Sequence, residues 1–369
     1  MSSKAFRLGF VTLLCASSAA AAPTAPAAPV ADAPLTAADR RQIVATLAQK
    51  LRARYVYPER GEAIATKLQA HAAHGDFDGA RTTRALAEVL DRDLTAVGDD
   101  RHFRIRFIPE FDPALEDDNH VPGSEEIAQG RADMARRAFG IARVERLPGN
   151  VGYLDIRGFG PAEFVAPAYD QALALLAGTD ALVVDLRSNG GGVPLAVSYF
   201  ASHFFAEGDE RHLNDIFDRP SGKTREYWTL PVTGPRYLRP VILLTSHSTA
   251  SGAEECAYDL QTQKRATLVG ETTAGAANPG GPVAIGHGLV AFVPTGRPIN
   301  PVTHADWEKV GVKPDIAVPA ADAMKTAYLS LLDRRLAEAK DPSEKDELQD
   351  VRRRAMDGKI PLPGYVPRR

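Results

Sequence analysis

The chain has 369 residues, 44% of them hydrophobic and 25% charged, with a formal net charge of −3. That length holds about two domains with ample core, and the composition is that of an ordinary globular protein rather than a disordered, fibrous or membrane-spanning one. The weak negative charge, which becomes −5 if Lys4 and Arg7 leave with a leader, excludes binding to nucleic acid or an anionic membrane by charge alone.

Residues 1–22 have the three parts of a secretory signal peptide in order: Lys4 and Arg7, a short apolar core at 8–15, and small residues at 19–22. The apolar core is too short to span a bilayer, and no later run is long enough. A periplasmic or secreted protein is expected. Residues 23–35, rich in Ala and Pro, read as a flexible linker. Cys15 falls in the leader, so Cys256 is alone in the mature chain and no intramolecular disulfide can form. Its place on an apolar helix face makes it a buried, inert thiol.

Residues 36–98 are predicted to be a small helical domain. Ile43, Leu47 and Leu51 share one helical face, and Ile64, Leu68 and the apolar positions of 86–94 add further turns. Residues 99–108 (DDRHFRIRFI) alternate polar and apolar and read as a strand, followed by a polar loop and a helix over 109–142. From residue 149 the rhythm becomes strand, helix, strand. Strand 151–155, helix 162–176 and buried strand 181–185 lead to a tight loop at Asn189, Gly190, Gly191 and Gly192. A helix over 194–205 begins with Pro194, as helix starts favour. A polar hairpin with Tyr227 and Trp228 precedes strand 241–244, a helix from Ser251, strand 267–269 and a Gly-rich loop at 274–281. A hairpin (283–285 with 289–293), a last strand at 315–318 and two helices end the chain. Continuous apolar strands alternating with helices predict an α/β fold with a mostly parallel sheet. The core is assigned to residues 99–330 and a C-terminal helical extension to 331–369.

Ser251 sits on the turn between a buried strand and a helix, where a hydroxyl is exposed and adjacent backbone N–H groups can hold an oxyanion. Ser251 and Glu254 also have the spacing of a capping box, so the serine has a structural reading beside the chemical one. The Gly190–Gly192 loop follows another buried strand, and in a parallel sheet both loops reach the carboxyl edge, where ligands bind. No phosphate-binding glycine motif occurs. Ser251 has neither a G-x-S-x-G elbow nor an S-x-x-K motif. No His/Cys cluster has metal-ligand spacing, so neither a metal nor a cofactor is assigned. A serine nucleophile needs a base. Of the nine histidines, His102 stands out because it follows the acidic pair Asp99–Asp100 and precedes Phe103.

Four blocks carry a family resemblance: VVDLRSNGGG (183–192), TASGAEECAYDLQTQKRATLVGETTAG (249–275), DDRHF (99–103) and WEKVGVKPDI (307–316). Over about residues 36–330 the chain resembles the serine peptidases that group C-terminal processing (tail-specific) peptidases, the tricorn protease core and the interphotoreceptor retinoid-binding protein. The resemblance implies a crotonase-like spiral of ββα units behind the small helical domain. It also implies Ser251 as nucleophile, His102 as general base and Glu308 as the carboxylate that orients it, with the Gly191 and Gly252 amides forming the oxyanion hole. Ala276 stands where the tail-specific branch has a catalytic lysine, and the stretch between His102 and Val151 is too short for that branch's PDZ domain. The chain is therefore more similar to the tricorn-like and retinoid-binding-like branch, with Arg101 replacing a serine of the tricorn core. The resemblance implies an exported serine endopeptidase acting on peptides or unfolded chain ends. Two other classes share the fold: a non-catalytic carrier of an apolar ligand, and an acyl-CoA enzyme of the crotonase type, which a secretory leader would separate from its usual substrates. Nothing in the sequence assigns an oligomeric state. The mature protein is expected to begin near Ala22 or Pro23, and amino-terminal sequencing of protein from the host's cell envelope checks this; an intact Met1 would overturn it.

Overall fold

The computed structural model describes residues 32–116 and 121–367. The expected leader, and the expected linker up to residue 31, lie outside the described residues. The end of that linker is tied down: the Leu35 amide donates to Arg81 O at 2.8 Å, and Pro34 bridges Thr82.

In chain order the elements are α1 (Ala37–Arg54), α2 (Pro58–His74), α3 (Thr83–Gly98), β1 (Arg104–Phe107), α4 (Ser124–Arg136), β2 (Ile141–Leu147), β3 (Val151–Ile156), α5 (Ala162–Leu176), β4 (Ala181–Asp185) and α6 (Pro194–Ser202). There follow β5 (His212–Asp218), β6 (Lys223–Trp228), β7 (Val241–Thr245), α7 (Gly252–Thr262), β8 (Thr267–Gly270), β9 (Gly280–Gly286), β10 (Leu289–Pro294), β11 (Gly296–Ile299), β12 (Ile316–Ala317), α8 (Ala320–Glu338) and α9 (Pro342–Met356).

The central sheet has six strands in the order β12-β8-β7-β4-β3-β2, parallel throughout except for β2. Alternate residues of a strand face opposite sides, and here both sides are covered. Leu154, Leu182, Val184 and Leu243 pack with Tyr169, Phe200 and Cys256 on one face. Tyr153, Val183, Ile242 and Leu244 pack with Met324, Tyr328 and Val351 on the other. Double burial is why these strands read as unbroken apolar runs. β2, at the edge with exposed Ala142, Arg143 and Arg146, gives no such signal and was not expected.

α1, α2 and α3 pack against a second, antiparallel sheet of order β1-β10-β9. Ile43, Leu47 and Leu90 share one core with Ile105, Val283 and Leu289. Thr36 and Asp39 form a reciprocal capping box at the start of α1, and Thr82 caps α3. The expected strand over 99–108 is shorter at its start. Asp99 ends α3 in the left-handed region (φ 49°), and Asp100 accepts the His102 amide at 3.0 Å, folding 99–103 into a turn. β5, β6 and β11 form a small third sheet.

α7 carries two buried carboxyl groups one turn apart, Glu255 and Asp259. Burial pushes Glu255 up to about 7, and burial together with the neighbouring Glu255 charge pushes Asp259 well above its ordinary value. The folded state therefore binds protons more tightly than the unfolded state, and stability falls as pH rises from about 4.5 towards 7. Buried His203, pushed down by desolvation, works in the opposite direction. The melting temperature is expected to be lower at pH 8 than at pH 5.5, with a smaller difference in Glu255→Gln. An unchanged difference in that variant would remove Glu255 as its source.

Candidate active site

β7 delivers the chain to Ser251, the residue before α7. Ser251 has φ 54° and ψ −125°, a conformation that side chains with a Cβ rarely adopt. The Glu254 amide donates to the Ser251 carbonyl oxygen at 2.8 Å and also faces the Ser251 side chain in a capping-box arrangement. The other half of the expected capping box is present: the Ser251 amide donates to Glu254 Oε2 at 2.9 Å. The serine backbone is thus held by its helix, and the expected capping box forms around it.

Glu254 does more than cap. It is fully buried and also accepts from Thr273 Oγ1 at 2.5 Å, the Gly275 amide at 2.6 Å and the Ala276 amide at 2.9 Å. Burial pushes its carboxyl up, against the opposing effect of these donors. One side chain therefore joins the serine turn to the loop at 273–276. Ala276, in the expected lysine-dyad position, is buried there, and no lysine lines the adjacent cleft among the described residues.

The second glycine loop is anchored from below. Buried Arg187 makes a bidentate pair with Asp185, at 2.9 and 2.5 Å, and donates to Ala320 O at 2.7 Å. Tyr365 lies against the Arg187 guanidinium, and the Ser188 hydroxyl donates to Val366 O at 2.5 Å. Gly191 (φ 97°) packs so closely that a Cβ there would lie 2.7 Å from Ser251 Cβ and 2.7 Å from the Gly252 nitrogen. The Gly191 amide donates to Asn189 Oδ1 at 2.8 Å, so the donor named from the resemblance is already engaged. The amides of Gly190, Gly192 and Gly252 have no acceptor among the described residues.

His102 and Ser251 line one cleft of about 690 Å³, together with Gly190, Ala250, Ala276 and Phe292. The His102 ring stacks at 6.1 Å on Phe292. Behind it, Asp100, His102 and Glu308 bring ligand atoms within 4.8 Å of one another. His102 Nδ1 lies 3.8 Å from Asp100 Oδ1. Neither ring nitrogen makes a hydrogen bond among the described residues, so the Ser251 hydroxyl is not hydrogen-bonded to His102 in this structure. Bonds of this kind are often long without substrate and tighten on binding. Asp100 accepts from Tyr55 at 3.1 Å and from Asn278 at 3.0 Å. Burial alone would push Asp100 up, but His102 and Asn278 outweigh it and hold the carboxyl below its ordinary value. Glu308 Oε2 accepts the Ala277 amide at 2.8 Å, while Oε1 has no partner among the described residues. Burial, with the Asp100 charge beside it, pushes Glu308 up to about 7. These three residues have the donor types that ligate cations, and the same geometry suits an imidazole held between carboxylates.

Sequence reasoning missed Asp100, Asn278 and the wider reach of Glu254. The available signal for Asp100 was its place two residues before His102. Asn278 offered none, since its partner lies far away in the chain.

The sequence model described as peptidase family S41 matches residues 150–318, and the one described as the N-terminal domain of Peptidase_S41 in eukaryotic IRBP matches residues 35–138. Ser251 and Glu308 fall in the first match and His102 in the second. Carboxyl-terminal-processing peptidase 2, chloroplastic, of Arabidopsis thaliana is 29% identical over 195 residues, covering 48% of this chain and 35% of that protein. The chain spans little more than a third of the length of the curated relatives it matches. Among solved structures, mature CPAF aligns with a TM-score of 0.55 at 13% identity, over 89% of this chain and 99% of that one. A lipoprotein from Streptococcus agalactiae aligns with a TM-score of 0.52 at 14% identity, over 83% of this chain and 100% of that one. These likenesses show a shared mixed α/β fold.

Strain at Ser251 generates a test. Ser251→Gly relieves the positive φ and is expected to raise stability by about 1 kcal/mol or more, since glycine costs only a few tenths at a cap. Ser251→Ala keeps its Cβ and should gain little. Urea midpoints that rank Gly and Ala equally would mean the turn is unstrained.

Proposed function

The chain belongs to peptidase family S41, and from that premise we propose that it is a serine peptidase that hydrolyses peptides or unfolded protein segments with Ser251, His102 and Glu308. The observation that carries this reading is the strained serine in the same cleft as an imidazole backed by buried Asp100 and half-buried Glu308. A side chain held in an unfavourable backbone conformation beside such an imidazole suits a nucleophile, and capping alone does not require that conformation. His102 takes the hydroxyl proton and returns it to the leaving amine, and Glu308 and Asp100 compensate the imidazolium charge. The Gly252 amide and an open amide of the 190–192 run stabilise the oxyanion. The crotonase-like spiral and the partition into a 36–98 helical domain, a 99–330 core and a 331–369 extension belong to the same proposal.

Export is proposed from the leader pattern of residues 1–22. Among the described residues no helix is long and apolar enough to cross a membrane. The carrier reading is favoured by the apolar cleft residues Ile108, Val290 and Phe292, but it gives no reason for the conformation of Ser251.

Fluorophosphonate labelling of Ser251 separates the two readings, because a carrier would leave the probe unreacted. His102→Ala is expected to lower kcat/KM by about 10²–10⁴, and Ser251→Ala/His102→Ala should be little worse than either single variant. Glu308→Gln should cost less. Activity is expected to rise as pH passes through about 7, where Glu308 ionises beside Asp100 and His102. A full rate at pH 5 would remove Glu308 ionisation from the mechanism.

A further inference from the structure

The β1-β10-β9 sheet has one face in the helical core and one in the cleft. On β1, Ile105 faces the core while Arg104 and Arg106 face outward. Their register partners on β10, Phe292 and Val290, point the same way, and all four line the cleft with Arg101. Among the described residues no Asp or Glu lines it. Among the described residues Arg101 makes no ion pair, Arg104 donates to the Phe103 carbonyl, and Arg106 donates to the Ile105 carbonyl at 3.1 Å and pairs with Asp91 at 3.3 Å while remaining 60% exposed. A protein of net negative charge thus concentrates guanidinium groups on one wall of its cleft, where the field is focused.

The position of this wall relative to His102 gives it a direction. The base returns its proton to the leaving amine, so the departing segment lies on the His102 side of Ser251. β1 starts two residues beyond His102 and continues away from it. Both β1 and an extended peptide advance about 3.3 Å per residue, so Arg104 and Arg106, about 7 Å apart, match alternate side chains of such a segment.

We propose that Arg104 and Arg106, over the apolar floor of Val290 and Phe292, form a carboxylate-binding subsite that selects peptides whose leaving segment is acidic. This rests on the peptidase reading above. The carboxylate can come from Asp and Glu side chains or from the free chain end, and guanidinium forks pair with either.

The test uses an unstructured twelve-residue peptide with a rhodamine label at its amino end. Two alternate positions near its carboxyl end are both Glu, both Gln or both Lys, and each peptide is made as free acid and as amide. Binding is read by anisotropy on the Ser251→Ala protein, and cleavage by mass spectrometry on the wild type. The Glu peptides are expected to bind at least tenfold more tightly than Gln in 50 mM salt. That preference should collapse in 500 mM salt and in Arg104→Gln/Arg106→Gln, and turn towards Lys in Arg104→Glu/Arg106→Glu. If the chain end is the source, the tenfold difference appears between acid and amide whatever the side chains. Both arginines are exposed, and melting temperatures matching the parent protein verify that the variants fold. Equal binding of all six peptides within twofold, or a preference that survives Arg104→Gln/Arg106→Gln, overturns the subsite. Charge-selective binding without any cleavage supports the subsite and overturns the peptidase reading alone. Cleavage without charge preference does the reverse.

Discussion

The Glu254 carboxylate is the constraint on which the site's assembly depends. A carboxyl group removed from water is costly unless donors replace the solvent, and Glu254 finds them in the Ser251, Gly275 and Ala276 amides and the Thr273 hydroxyl. Three of these donors belong to the loop after β8 and one to the serine turn after β7. Burial therefore welds two loops that neighbouring strands only bring close. The loop then continues into Ala277, which holds Glu308, and Asn278, which holds Asp100. The path from nucleophile to imidazole cluster runs through hydrogen bonds rather than through apolar packing, so it is directional in a way that packing is not.

The arrangement draws on both sheets. β4 and β7 lie side by side and parallel, and the loops leaving their carboxyl ends carry the glycine run and Ser251. This is the edge at which parallel sheets collect ligands. The imidazole comes from elsewhere, from the turn between α3 and β1, and Tyr55 at the end of α1 braces its carboxylate partner. Lys309 pairs with Asp99 and fixes the Glu308 loop to the same turn. The helical region is thus part of the site rather than a decoration on it.

Much of this was legible in the chain. The doubly buried strands announced themselves as apolar runs, the helix 162–176 was read to the residue, and Ser251 was recognisable at a strand-to-helix turn. The errors share a cause. The alternation of residues 99–103 fits a strand, but the Asp100 side chain captures a local amide and bends the backbone first. Glu254 looked like an ordinary cap because the spacing S-x-x-E says nothing of residues 273–276. Gly191 was named as a donor from likeness, whereas the neighbouring Asn189 side chain takes that amide. Where a side chain competes for the backbone, or where partners are far apart in the chain, periodicity carries no information.

The Asp100 cluster has a consequence for how the molecule comes into being. Its contacts close very long loops: Asn278 reaches Asp100 across 178 residues, and Lys309 reaches Asp99 across 210. Closing such loops carries an entropic penalty before any contact rewards it, and folds dominated by distant pairings form slowly. The bonds by which Glu254 fixes the serine turn, by contrast, span 3 to 22 residues and close earlier. On the reading proposed here, a nascent chain would carry its nucleophile well before it carries a working base. The order of folding itself would then keep a growing peptidase from acting on its own unfinished neighbours.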